Sequence, residues 1–442
     1  MSNRTIEQNL TLLSSTKRNI RNAINIKGGS VSSATPFADY ATAISNLPSG
    51  GGGGTDLDWS LIGYSARPSS IDEAYAYSRQ IYVDWDNTET DMSERYYQNK
   101  QIKYFPLVDT SNVTNMRNMF MNSTLEYIPL LDTSNVTDMS AMLYGSKVAT
   151  IPQFNTSACT NMTYTFVDTD ITSVPLLDTR NVQTFQGTFE RTKITTIPQL
   201  NTSAATNMSE MFWDCTNLTS IPLLDTSNAE NMNYMFVNCT SLTDIPQLNT
   251  SACTSMYMMF NGCTGLTGFT ALSGYDFTNV ENCQDMFSDC HNIPLTTLPV
   301  INTVKCTNFG SMLRFNSSAL TRVEGIYLNS WQGGQIFGDW TGDPDSQQNH
   351  PNLTYVMLYN LGMSENAYDD FNLGCLMDWG DGGSANHQSL IDSLYTNAFD
   401  RATAGYETKK IYLHPYTYAR LSQQEINNIE SKGYQVVDIQ NG

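Results

Sequence analysis

Along the middle of the chain two rhythms of apolar residues follow one another again and again. In Leu218-Thr-Ser-Ile-Pro-Leu-Leu-Asp225 apolar and polar residues alternate, the pattern of a short, half-buried strand. The proline of each such run has no N–H to give, which places it at a strand edge or bend. An Asp-Thr-Ser-Asn or Asn-Thr-Ser-Ala group comes next; these residues turn the chain and offer side-chain oxygens to the first free N–H groups of a helix. Met208, Met211 and Phe212 then stand at i, i+3 and i+4, one face of a predicted short helix. A single strand-turn-helix unit cannot bury that face, so its stability must come from neighbouring copies.

The copies keep a period. Pro106, Pro129, Pro152, Pro175, Pro198, Pro222 and Pro246 are separated by four steps of 23 residues and then two of 24. Phe120, Leu143, Phe166, Phe189, Phe212, Phe236, Phe260, Phe287 and Leu313 close nine predicted helical turns, the last two steps stretching to 27 and 26. A period of ~20–29 residues with one strand and one helix per unit is the leucine-rich-repeat range. The expected fold is therefore an α/β repeat solenoid, leucine-rich-repeat-like, over residues 105–315. The turns alternate between Pro-Leu-Leu-Asp-Thr-Ser-Asn and Pro-Gln-Leu/Phe-Asn-Thr-Ser-Ala, an alternation that periodicity does not explain.

The ends read differently. Residues 1–48 predict a small helical module: Ile6, Leu10, Leu13, Ile20 and Ile24 lie on heptad-like spacing, and Phe37, Tyr40, Ala41 and Ile44 share a face of a second short helix opened by Thr35-Pro36. Residues 49–55 are a glycine-rich linker. Residues 56–104 are expected to cap the first repeat and residues 316–442 to hold an irregular crossover and an α/β C-terminal cap, since terminal repeats have an open apolar face. In that cap Ile411 starts a predicted strand, Ser422-Gln-Gln-Glu425 reads as a capping box before a helix with Ile426 and Ile429 inward, and Tyr434 to Ile439 alternate as a last strand.

Composition narrows the function. Charged residues make up only 15 % of the chain and the net charge is −20, which argues against nucleic acid, whose phosphates call for clustered cations. Residues 1–50 nevertheless carry +3, from Arg4, Lys17, Arg18, Arg21 and Lys27 against Glu7 and Asp39. No stretch has the ~18 apolar residues of a spanning helix, and neither a secretory leader nor an early lipid-bearing cysteine is read at the start; membrane insertion and ordinary export are not expected. Cys215, Cys239, Cys263 and Cys290 recur at one repeat position; they are expected as buried free thiols, small and apolar, and the methionine stripe as core. The 4 histidines have no ligand spacing and no carboxylate pair is singled out, so no enzyme activity, metal or cofactor is expected.

Asp109-Thr-Ser-Asn-Val-Thr-Asn-Met-x-x-Met-Phe120 resembles the repeat of BspA-type leucine-rich-repeat surface proteins over about residues 100–315, and residues 371–438 look like the C-terminal cap of such proteins. Ile24-x-x-Lys-Gly28 and Phe37-Ala-Asp-Tyr-Ala-x-x-Ile44 resemble a short module at the start of many phage tail and fibre proteins. Together these likenesses imply a non-enzymatic virion protein, a fibre or appendage made in the cytoplasm of a bacterial host. It would be oligomeric within an assembly, dock on other virion proteins through residues 1–48 (Ile6, Leu10, Leu13, Arg18, Arg21, Phe37 and Tyr40), and present its repeats to a host surface glycan or protein or to neighbouring virion proteins. A bacterial BspA-type adhesin is the alternative, and a polysaccharide depolymerase a further one. The irregular Trp331-to-Asp345 segment offers Trp331, Asp339 and Trp340 as expected receptor contacts; its other reading is a crossover with buried tryptophans.

Overall fold

In a computed structural model of the chain, placement is described for residues 88–438 except 104, 106–107, 269–270, 315–318, 333, 337–352, 354, 364–370, 374–389, 391–392 and 414. The chain divides into two compact units, Met1–Asn181 and Val182–Gly442.

Within each unit the repeats are joined by backbone bonds from one copy to the next. In the first unit, parallel bridges pair Asp91 with Asn115, Asn115 with Asp138, and Asp138 with Asn161. In the second they run Thr184, Asn207, Asn231, Ser255, Asn282, Asn308. From each bridge onwards, every second N–H donates to the following repeat: Met208 to Asn231, Glu210 to Asn233, Phe212 to Met235 and Asp214 to Val237, at 2.8–3.0 Å. N–H groups between these bond three residues back in their own repeat, as Trp213 does to Glu210 at 3.0 Å. Backbone polar groups that burial would otherwise orphan are thus paired in two directions.

This geometry corrects the predicted helix. Residues 209–214 form consecutive turns, and no α-helix occurs between 207 and 215. Glu210 (φ 61°) and Asp214 (φ 55°) are left-handed, as are Tyr234 and Asn238, Met258 and Gly262, and Asp285 and Asp289. A left-handed residue every fourth position breaks the helical path, and the N–H groups a helix would spend internally go to the neighbour. Met208, Met211 and Phe212 still point inward with no exposure, because a run of tight turns brings residues three and four apart to one side much as a helix does. Inside the second unit the phenylalanines stack: Phe189 on Phe212, then Phe236, Phe260 and Phe287, with ring centroids 5.3–5.8 Å apart and nearly parallel planes.

The described part of the expected N-terminal cap carries the same ladder. Met92, Glu94, Tyr96 and Gln98 donate to Asn115, Arg117, Met119 and Met121, and Glu94 and Gln98 are left-handed. Residues 91–98 are therefore built like the repeats that follow them.

Towards the C-terminus regular strands appear. β1 (Thr297–Leu298), β2 (Arg322–Tyr327) and β4 (Tyr355–Tyr359) form one parallel sheet, while β3 (Gly334–Gln335), β5 (Phe371–Asn372), β6 (Lys409–Leu413) and β7 (Tyr434–Asp438) form another. Among the described residues, three short α-helices, α1 (Arg401–Ala404), α2 (Pro415–Arg420) and α3 (Gln423–Glu430), and one π-helical turn, Ser393–Asn397, lie among them. The capping box read from Ser422 and Glu425 is present at the start of α3 with both of its hydrogen bonds, and Ile429 is buried while Ile426 is half-buried. Arg401 is wholly buried, its guanidinium donating to the carbonyls of Glu407 (2.9 Å) and Gly362 (2.6 Å). Tyr434 Oη donates to the carbonyls of Leu361 and Phe399, tying β7 to the segments beside it.

Candidate binding face

The turn that follows each proline is built from side-chain bonds. Asp225 Oδ1 accepts from the Ser227 N–H (3.1 Å) and hydroxyl (2.7 Å); Asp109, Asp132, Asn155 and Asn201 do the same with the serine two residues on. These bonds from Ser227 hold the Asp225 carboxyl below the usual carboxylate range. The threonine between them is buried and reaches the next repeat: Thr202 donates to the Asp225 carbonyl and Thr226 to that of Asn249, each at 2.8 Å.

The alternation of turn types now has a physical account. The glutamine of an Asn-type repeat reaches forward to the leucine carbonyl of the following Asp-type repeat, as Gln199 Nε2 does to Leu223 (2.7 Å) and Gln153 to Leu176. The asparagine of the Asp-type repeat reaches back to the serine carbonyl behind it: Asn228 to Ser203 and Asn181 to Ser157, each 2.8 Å. Two opposed side-chain clamps therefore couple the repeats in pairs. Alanine in the Asn-type turn and leucine in the Asp-type turn mark positions where no such clamp is made.

That pairing leaves the leucine outward. Leu223 is 57 % exposed between Gln199 and Gln247. Beside this row runs a second, Asn201, Asp225 and Asn249, and between the two lies an open groove of about 550 Å³ floored by buried residues of the same turns. Among the described residues, Oε1 of Gln199 and of Gln247 and Oδ2 of Asp225 accept no hydrogen bond. The groove thus offers hydrogen-bond acceptors around one apolar side chain, and its only ionised group is the Asp225 carboxylate. Leu130 and Leu176 of the first unit, at the same repeat position as Leu223, are 44 % and 60 % exposed.

The residues expected from sequence to meet a receptor are not brought together here. Trp331 has no exposed surface; its ring packs 5.1 Å from Phe371 and 6.4 Å, edge to face, from Phe309. It belongs to the core and presents no stacking face, which corrects that expectation. Asp339 and Trp340 lie outside the described residues, as do Ile6, Leu10, Leu13, Arg18, Arg21, Phe37 and Tyr40 of the expected docking module. The alternation over Leu218 to Asp225 does not single out Leu223, so the groove is not among the expectations from sequence. Leu223 and Leu224 are adjacent yet face opposite ways, Leu223 outward and Leu224 inward.

The repeat cysteines are buried and unpaired in the described residues. Each thiol also donates to the preceding repeat: Cys215 to the Phe189 carbonyl (2.9 Å), Cys239 to Phe212 (3.1 Å), Cys263 to Phe236 (2.9 Å) and Cys290 to Phe260 (2.8 Å). Burial pushes the Cys215 and Cys263 thiols up to about 12, so they are held as neutral donors and are poor nucleophiles.

Comparison with known proteins agrees with the repeat. No curated protein and no solved structure matches the chain. Residues 90–195, 146–242, 181–298 and 206–323 each match the family described as "Mycoplasma protein of unknown function, DUF285". The overlapping matches run from residue 90, where the first rung of the ladder begins, to residue 323, and so cover more than half of the 442 residues: the chain is a repeat protein of the DUF285 family.

Proposed function

We propose that this chain is a non-enzymatic adhesive and structural protein of a bacteriophage virion, a tail or head appendage whose stacked repeats form a leucine-rich-repeat-like solenoid presenting a face to host glycan. The observation that carries the adhesive part is the groove of Gln199, Leu223 and Gln247 beside Asn201, Asp225 and Asn249. Acceptor oxygens suit a partner rich in hydroxyl donors, and Leu223 suits the C–H face of a sugar ring. The carboxylate at Asp225 disfavours an acidic polymer, so the fitting ligand is a neutral polysaccharide. Weak contacts of this kind add up through repeated sites and many copies in an assembly. The virion part rests on the likeness of residues 20–47 to phage tail and fibre modules, and on the positive charge of residues 1–50 against an acidic body.

The family match favours a second reading, a BspA-type adhesin on a bacterial surface. One experiment separates the two. Proteomics of purified particles should find the chain, and deleting residues 1–48 should leave a folded protein that no longer joins particles. Finding the full-length chain on bacterial cells and never in particles would decide for the adhesin.

A further inference from the structure

Cys283 and Cys306 stand apart from the other cysteines. Both are fully buried in the second unit, and they belong to successive repeats whose backbones pair at Asn282 and Asn308. Their sulfurs are 3.1 Å apart, and among the described residues no other two thiols are in contact. Both thiols also face the Asn308 carbonyl, at 3.7 Å from Cys283 and 3.3 Å from Cys306. Cys283 follows Asn282 and Cys306 precedes Asn308 by two residues, so the two are not opposite each other in the ladder; it is their side chains that bring the sulfurs together. Side-chain rotation of about 1 Å would close the remaining gap to a bonded S–S distance.

We infer that Cys283 and Cys306 are a modification site, closing to an inter-repeat disulfide when the protein meets an oxidising medium that holds a low-molecular-weight disulfide. In the first step one of the two thiolates attacks a sulfur of the small disulfide; a mixed disulfide forms and one small thiolate leaves, taking up a proton. In the second step the other cysteine, deprotonated, attacks the protein sulfur of that mixed disulfide, the Cys283–Cys306 bond forms, and the second small thiol leaves. The protein pair loses two electrons and two protons, and the small disulfide is reduced to two thiols. Burial pushes the Cys283 thiol up, so exchange is slow and proceeds through transient opening of the two repeats. Once made, the bond is shielded from reductant by the same burial. It would lock these two repeats together after the protein has left a reducing compartment.

The test uses the full-length protein and oxidised glutathione. After incubation at mildly alkaline pH, remaining thiols are alkylated under denaturing conditions and the digest is mapped by mass spectrometry without reduction. The expected result is a linked Cys283–Cys306 peptide, a thiol count lower by two than the 9 of the sequence, and a higher unfolding midpoint. Cys283→Ser should titrate all of its remaining thiols under the same treatment. Refolding in a glutathione redox buffer provides a second route that does not depend on access to the folded core. If all thiols persist by both routes, or if the linked peptides join other cysteines or carry only glutathione, the inference is overturned.

Discussion

At the scale of single residues, the chain depends on short polar side chains that complete the backbone's hydrogen bonds. Asp225 shows how. Its bonds from Ser227 favour the carboxylate and hold its folded pKa below the unfolded value. The sign follows from linkage: this contribution to stability is fully present above the unfolded pKa of ~3.9 and is lost as pH falls through the lowered folded value. Asp225→Asn should keep the turn, as Asn201 does next door, while removing this part of the acid sensitivity. Unfolding midpoints measured from about pH 6 down to about pH 2 should fall less steeply for the variant; an unchanged slope would count against the assignment. Gly262 offers a second check. It has φ +71°, and a Cβ there would collide with Asn238 Oδ1 of the preceding repeat. Gly262→Ala should cost about 1–2 kcal/mol or more by thermal or urea unfolding. A neutral result would mean that the turn is not left-handed at this position.

At the scale of the repeat element, the sequence made the period, the inward face and the turn residues legible, but not the backbone path. Met208, Met211 and Phe212 were read correctly as one buried face, yet i, i+3, i+4 spacing does not distinguish a helix from a run of tight turns. The distinguishing signal sat two residues after each phenylalanine or leucine: Asn122, Gly145, Asp168, Asp214, Asn238, Gly262 and Asp289, with Arg191 the exception, all with positive φ. Asn, Asp and Gly are the residues that enter the left-handed region at least cost, and their recurrence in a helix interior is unfavourable. In the C-terminal segment, where capping and alternation are local, Ser422, Glu425 and Tyr434 were read as they stand. Packing within the ladder makes its own prediction. Phe236 is stacked between Phe212 and Phe260 and has no exposure, so Phe236→Ala should destabilise the protein by about 3–5 kcal/mol in chemical denaturation. Thr226→Val, which keeps the shape and removes the donor to Asn249, should cost about 1 kcal/mol. If the two losses were equal, core stacking would not be the main source of stability.

At the scale of the whole molecule, the repeats of the DUF285 family are a frame that holds side chains at fixed intervals and leaves some of them outside. The exposed groove escaped sequence reading because exposure is settled by which repeats clamp each other. Gln199 and Asn228 reach across to neighbouring carbonyls, whereas Leu223 does not and is left in solvent. Trp331, by contrast, looked like a surface aromatic in an irregular loop and is core. The central claim is that the Gln199–Leu223–Gln247 groove binds neutral polysaccharide. Its most direct test is the dissociation constant of Leu223→Asp for purified neutral host-cell polysaccharide, measured by calorimetry beside the wild type, with melting temperatures recorded for both. The account predicts binding at least about tenfold weaker with an unchanged melt, since Leu223 contributes little to the core. Binding equal to that of the wild type would contradict it.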